Sequence, residues 1–153
     1  MHEVETATPE DTERLGEALG RAARGGELIG LVGDLGAGKT CLVRGLARGL
    51  GIDPERITSP TFIVVAEHRA GRLLLQHVDL YRLENWSADE PLLREALYGD
   101  GVAAVEWFDR LGDSAGDEFL RVIIGFGAGD TRIIRLEAAG RRHEALLTRA
   151  LAG

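Results

Sequence analysis

The spacing of apolar positions changes several times along the chain, and each change marks an element. Leu15, Ala18, Leu19, Ala22 and Ala23 recur at intervals of one, three and four, as on one face of a helix. Thr8-Pro9-Glu10-Asp11 supplies its start, with a hydroxyl cap, a proline at the first position and acids in the first turn. Gly25-Gly26 ends it. Glu27 to Val32 reads as a short buried strand, and a second helix is predicted from about Gly38 to Leu50. Phe62–Glu67 and Leu73–Val78 flank His68-Arg69-Ala70-Gly71-Arg72. So short a connection, with a glycine in it, predicts an antiparallel hairpin rather than a helical crossover. Ser87-Ala88-Asp89-Glu90 resembles a capping box, with Pro91 in the first turn of the helix it opens. Gly99-Asp100-Gly101 is a turn, and Val102–Glu106 is another buried strand. Arg121–Phe126 and Arg132–Glu137 form a hairpin around Gly127-Ala128-Gly129-Asp130, and a helix from about Arg142 closes the chain. The pattern predicts one three-layer α/β domain over residues 1–153, with a mixed sheet that is parallel at its centre.

Composition narrows the partners. The formal net charge is −7, so the chain as a whole lacks the basic surface that direct, non-specific nucleic-acid binding requires. Any RNA involved is expected to be held by a partner. No apolar run approaches the roughly 18 residues of a membrane span. The start, Met1-His2-Glu3-Val4-Glu5, has neither the basic nor the apolar region of a secretory leader. With one cysteine, Cys41, no internal disulfide can form, and the expectation is a cytosolic protein. Lys39 is the only lysine among 18 basic residues. The abundant arginine, alanine and glycine fit codon bias, but that does not explain where the lone lysine falls.

It falls in Gly33-Asp34-Leu35-Gly36-Ala37-Gly38-Lys39-Thr40, which matches G-x-x-x-x-G-K-[ST] between a strand and a helix. Such a loop turns its amides inward as an anion nest, and the helix N-terminus adds partial positive charge. Asp34, Gly36, Ala37, Gly38, Lys39, Thr40 and Cys41 are therefore the expected contacts to ATP or ADP phosphates. Lys39 would reach the β- and γ-phosphates, and the Thr40 hydroxyl would ligate Mg2+. An ammonium on a flexible stem suits that task better than a guanidinium.

Two acids end apolar strands downstream: Asp79 after Leu73–Val78, and Glu106 after Val102–Val105. Ligands in open α/β sheets lie beyond the carboxyl ends of parallel strands. Phosphoryl transfer to water needs a held metal and an oriented water. Asp79 suits the outer magnesium shell, and Glu106 suits water orientation or a second metal contact. The bland alternative is that both are strand caps. Thr58-Ser59-Pro60-Thr61-Phe62 is either a plain turn or a switch segment, in which Ser59 or Thr61 would touch metal or γ-phosphate only in the triphosphate state. His77 shares a strand face with Asp79. A metal site there competes with a satisfied or solvent-facing histidine, which is favoured because the other three histidines have no ligand spacing. Arg82 and Arg110 are arginine-finger candidates, though surface pairing is the simpler reading for each. Cys41, in the first turn of the loop helix, is either a thiol whose pKa the dipole lowers or an inert buried one, as free cysteines usually are.

In order, the phosphate loop, Thr58-Ser59-Pro60-Thr61-Phe62, His77-Val78-Asp79-Leu80-Tyr81-Arg82 and Glu106-Trp107 resemble one family. It is the bacterial ATPase subunit of the tRNA threonylcarbamoyladenosine (t6A) machinery, called TsaE and formerly YjeE. The resemblance spans about Glu5 to Glu137. It implies a small cytosolic ATPase with weak intrinsic turnover, on a P-loop NTPase-like fold. It also implies two protein partners, a catalytic transferase subunit (TsaD) and its paralogue (TsaB). Relatives bind where those two meet, and ATP use resets the complex for repeated turnover. On this resemblance Lys39, Thr40, Thr61, Asp79 and Glu106 carry nucleotide, magnesium and hydrolytic roles, and Trp107 lies at or near the site. The chain departs from the pattern in Cys41, where relatives usually carry a second hydroxyl, in Phe108, where they usually carry proline, and in the stretch from Leu83 to Tyr98. A small-molecule kinase is the main alternative, since it shares the loop and the acids, but 153 residues with short loops leave little room for a lid. No Asn-Lys-x-Asp is present to read guanine. A binding module that merely keeps the nucleotide fold is the third reading.

Overall fold

The computed structural model describes residues 1–34, 36–58, 65–81 and 91–152. The elements, in order, are β1 (His2–Thr6), α1 (Pro9–Ala22), β2 (Leu28–Val32), α2 (Lys39–Gly49), β3 (Val65–His68), β4 (Leu75–Asp79), α3 (Pro91–Leu97), β5 (Val102–Glu106), β6 (Phe119–Phe126), β7 (Arg132–Ala139) and α4 (Arg141–Ala152). They build a mixed sheet in the order β1-β7-β6-β2-β5-β4-β3. The four central strands, β6, β2, β5 and β4, are mutually parallel. The flanking pairs β3–β4, β6–β7 and β1–β7 are antiparallel. The expected hairpins are therefore present, and β4 and β5 run parallel to β2.

The two sheet faces carry separate cores. One gathers Leu19, Ile29, Leu31, Leu42, Leu46, Leu120, Val122, Leu136 and Leu146 beneath α1, α2 and α4. The other gathers Leu28, Val78, Leu97, Val105, Phe108 and Leu111 beneath α3 and the 3-10 turns Phe108–Ala115. This is the three-layer α/β arrangement expected. Among the described residues no helix is long and apolar enough to cross a membrane.

Helix α1 starts as its sequence predicts. Thr8 adopts an extended conformation, its Oγ1 accepts from the Asp11 amide at 3.2 Å, and Pro9 opens the first turn. Its end is held by arginines: Arg72 donates to the carbonyls of Gly20 and Ala23, and Arg149 to that of Ala22. Those carbonyls have no intrahelical partner, so guanidinium donors satisfy them.

The α1–α2 contact is built from glycine. Gly16 and Gly20 lie against the Leu42 and Leu46 carbonyls, and Gly45 and Gly49 lie against those of Glu13 and Glu17. A methyl at any of the four would overlap backbone of the facing helix. Backbone thus packs on backbone, closer than side-chain-separated helices usually come. The consequence for the site is positional, because the start of α1 is set beside the start of α2.

Strand β1 was not expected, since HEVET offers only Val4 as an apolar anchor. It is an edge strand whose outward carboxylates discourage further pairing. The 3-10 turns after Glu106 were also not expected. They bring Phe108 under Gly30 of β2, where no β-carbon would fit, and edge-on to Phe119 at 5.2 Å. That contact gives Phe108 a packing role where relatives usually carry proline.

Candidate functional site

The Gly33–Thr40 segment joins β2 to α2 at the carboxyl end of the parallel strands. Gly36 (φ 80°) and Gly38 (φ 113°) take left-handed angles that disfavour a β-carbon. Gly38 is the N-cap of α2, and no side chain caps the helix. An uncapped helix start carries donor groups and partial positive charge toward whatever lies over the loop.

Lys39 turns inward. Its Nζ donates to the Gly33 carbonyl at 2.5 Å and the Asp34 carbonyl at 2.9 Å. The Trp107 ring lies over it, with Nζ 4.3 Å from the ring centroid. Burial pushes the Lys39 pKa below its ordinary value, and the nearby Glu106, Asp79 and Asp34 carboxylates pull the other way. Its ammonium is held by carbonyls of the very loop it belongs to. Asp34 and Gly36 are exposed, and Ala37 is buried.

The acids converge as the fold rule requires. Register pairs Leu31 with Glu106 across β2–β5, and Glu106 with Asp79 across β4–β5. Glu106 is therefore the nearer neighbour of the loop. It is only 3 % exposed. Thr40 Oγ1 donates toward its carboxylate, 3.2 Å from Oε1 and 3.3 Å from Oε2. The His77 Nε2 lies 2.5 Å from Oε2. Asp79 is half-buried and accepts from the Tyr81 amide at 2.9 Å. Burial raises its pKa, and Glu106 adds to the rise against that hydrogen bond.

Trp107 follows Glu106 with φ 60° and ψ 41°, the one non-glycine residue with positive φ among those described. Such a backbone costs roughly 1–2 kcal/mol. It turns the chain off β5 and lays the indole against both Lys39 and Tyr81, 5.0 Å from the Tyr81 ring. Arg110 stacks over both aromatic rings and donates to the carbonyls of Leu80 and Tyr81. Among the described residues it forms no ion pair and belongs to the wall of the site.

Beside the loop is a hollow of about 170 Å³ lined by Pro9, Thr12, Gly36, Ala37, Gly38, Cys41, Asp130 and Arg132. Arg132 spans it, donating to the Ala37 carbonyl at 3.1 Å. Cys41 lines it, with Sγ 3.1 Å from the Pro9 carbonyl. The thiol does not have the lowered pKa expected from the helix dipole. Burial pushes it up, Glu13 adds to the rise, and Arg44 only partly opposes them. A larger cleft of about 450 Å³, between Gln76, Leu97 and Gly101, touches none of the expected site residues.

The structure thus brings Lys39, Thr40, Asp79, Glu106 and Trp107 together around the loop. Thr61 and Ser59 of the expected switch segment, Leu35, Arg82 and the Ser87–Glu90 capping box lie outside the described residues. The sequence favours a satisfied or solvent-facing His77, and the structure has it buried and bonded to Glu106, a partner the sequence does not name. The β4–β5 register puts Glu106 on the face shared by His77 and Asp79. Arg132 gave no such signal, because its role arises from hairpin placement.

The residues present fit magnesium and a triphosphate. Among the described residues no three His, Cys, Asp or Glu side chains form a closed metal cage. Magnesium usually takes one or two protein oxygens and completes its shell with phosphates and water. Thr40, Glu106 and Asp79 offer that kind of partial donor set beside an uncapped helix start.

Fold and site together define a P-loop NTPase-type α/β protein. The family profile described as "Threonylcarbamoyl adenosine biosynthesis protein TsaE" matches residues 6–134. The chain is 39 % identical over 141 residues to the tRNA threonylcarbamoyladenosine biosynthesis protein TsaE of Bacillus subtilis, covering 92 % of this chain and 88 % of that one. To the protein of the same name from Treponema pallidum it is 47 % identical over 103 residues, 67 % of this chain and 75 % of that one. The crystal structure of Bacillus subtilis YdiB superposes with a TM-score of 0.82 at 34 % identity, covering 99 % of this chain and 94 % of that one. This chain belongs to the TsaE family, whose name places it in t6A biosynthesis.

Proposed function

We propose that residues 1–153 form one ATPase unit that binds Mg-ATP and hydrolyses it, weakly on its own, to support repeated turnover of the t6A modification complex. The carrying observation is the approach of the Thr40 hydroxyl to both Glu106 oxygens at the mouth of the phosphate loop. Those are the groups that would hold magnesium and orient a water, with Asp79 beside them in register. Magnesium, when bound, supplies charge neutralisation for the phosphates. Asp34, Gly36, Ala37, Gly38 and Cys41 would line the phosphates, with the base and ribose directed into the hollow beside Cys41. Lys39 would exchange its loop carbonyls for β- and γ-phosphate oxygens. Thr61 would contact the metal or γ-phosphate in the triphosphate state. The proposed protein partners are a TsaD-like transferase subunit and a TsaB-like paralogue. The net charge of −7 favours tRNA contact through that complex rather than directly.

Thermal unfolding tests the ligand. At about 100 times the dissociation constant, Mg-ATP or Mg-ADP should add about 2.7 kcal/mol, or roughly 5–10 °C in Tm, and GTP much less. An equal shift with GTP removes the adenine preference, and no shift with any nucleotide removes the reading. Pull-down of the tagged protein with and without ATP tests the partners. Failure to retain the two transferase-complex proteins under either condition removes them from the proposal.

A further inference from the structure

We propose that His77 is a positioning residue for the hydrolytic step, a clamp that fixes Glu106 Oε2 from the sheet side and so holds the carboxylate against the Thr40 hydroxyl. The proposal rests on the ATPase reading above. His77 is aligned with Ala104 on β5, so Glu106 is its diagonal neighbour on the same face. The imidazole is fully buried, and Nε2 is 2.5 Å from Glu106 Oε2. Nε2 and Glu106 Oε2 share a hydrogen bond, and among the described residues Nδ1 has no second partner to hold the ring.

The terminal torsion of a glutamate is broad and roughly two-fold, so an unheld carboxylate swivels between its oxygens. With Oε2 tied to His77, the swivel stops and the two oxygens stay 3.2 and 3.3 Å from the Thr40 hydroxyl. The histidine acts through Glu106 alone.

The test is phosphate release from ATP by the full chain under single-turnover conditions, with ADP affinity measured without magnesium. His77→Leu keeps the bulk and removes the donor. It should slow release about 10–100-fold, the usual scale for losing a group that orients a metal-site carboxylate, and leave magnesium-free ADP affinity within about threefold. His77→Gln places an amide donor at similar reach and should recover release to within about fivefold of wild type. In a Glu106→Gln background, His77→Leu should cost far less than in wild type, because paired residues are non-additive. Wild-type release by His77→Leu, a His77→Gln protein as slow as His77→Leu, or equal losses in both backgrounds would each overturn the clamp. If circular dichroism shows His77→Leu unfolded, His77→Asn replaces it, since its shorter amide stops short of Glu106. A slow His77→Asn beside a fast His77→Gln then supports the clamp, and equal rates overturn it. A wild-type protein that releases no phosphate overturns the ATPase reading and the clamp together. An active wild type with an equally active His77→Leu overturns the clamp alone.

Discussion

Two buried glutamates stand at opposite ends of the same sheet, and their partners differ in kind. Glu27 is 1 % exposed and precedes β2. Its carboxylate accepts from the backbone amides of Arg24 and Gly25, both at 2.7 Å, with Arg149 at 3.8 Å. Glu106 ends β5 and is held by side chains, the Thr40 hydroxyl and the His77 ring. Each has a buried histidine nearby. His143 Nε2 accepts from the Leu28 amide at 3.0 Å and so fastens α4 to β2, whereas among the described residues the His77 ring bonds the Glu106 carboxylate. Backbone donors cannot leave without moving the fold. Side-chain donors can rotate away or exchange a carboxylate for a metal. Burial and charge look alike at the two ends, and the type of partner separates the structural acid from the one proposed to act in hydrolysis.

Exchanging the acids one at a time should break that symmetry most visibly. Glu106→Gln should keep nucleotide affinity within a few-fold and lower turnover by about 10²-fold or more, the scale for losing a positioned base. Glu27→Gln should leave turnover unchanged and destabilise by about 1–3 kcal/mol, roughly 3–10 °C in Tm, because an amide nitrogen would face a backbone N–H. Phosphate release and thermal melts on the same two proteins decide it. Wild-type turnover in Glu106→Gln would make Glu106 a strand cap like its counterpart.

Asp79→Asn sharpens the Glu106 end. Magnesium-dependent nucleotide binding and turnover should fall together, by about tenfold or more, while magnesium-free ADP binding is spared. Titration of a fluorescent nucleotide with and without magnesium reads this directly, and an equal loss in both conditions would detach Asp79 from the metal.

The structural end makes a pH prediction. Burial holds the His143 pKa below its ordinary value, with Glu27 opposing and Arg142 reinforcing. The unfolded chain therefore binds a proton near pH 6.5 while the folded one still resists. This group's contribution is complete above about pH 6.5 and is lost as pH falls toward the lower folded value, at no more than about 1.4 kcal/mol per pH unit. Denaturant melts between pH 7.5 and 5.5 should show a shallower decline for His143→Gln, which keeps an acceptor that does not titrate. Parallel curves would place the acid sensitivity elsewhere, for example at His68, whose pKa burial also lowers.

The smallest effect is at Cys41. Its raised pKa predicts slow alkylation at neutral pH, faster only as pH rises past the ordinary 9.0. Mg-ATP in the adjoining hollow should slow it a few-fold further. A rate indifferent to saturating nucleotide would move the ligand away from that hollow.

What the sequence disclosed follows from how local each signal is. The phosphate loop and Thr8-Pro9 cap are contiguous, and Asp79 and Glu106 needed only the rule about strand ends. His77 required the β4–β5 register, which periodicity does not fix. The dipole argument for Cys41 was sound in sign, but it lost to burial and Glu13, which depend on how α1 lies against α2. Strand β1 was illegible because an edge strand with polar residues outward has almost no apolar alternation. The glycines of α1 and α2 were visible as Gly16-x-x-x-Gly20 and Gly45-x-x-x-Gly49. A reading that scores apolar side chains passes over residues that have none.

That glycine contact also bears on how the loop is able to move. Four positions where carbonyl oxygens sit against bare α-carbons leave little room for sliding, because a slide would carry each oxygen off its glycine toward residues that have side chains. The two helices should therefore exchange their amide hydrogens as one cooperative block, with protection close to that of global unfolding. The opposite flank of Lys39 is a stack of Trp107, Tyr81 and Arg110, held by ring contacts and a strained backbone. A hinge needs one fixed leaf and one that swings. The α1–α2 block is the fixed leaf, and the aromatic flank has to give way when a ligand reaches Lys39.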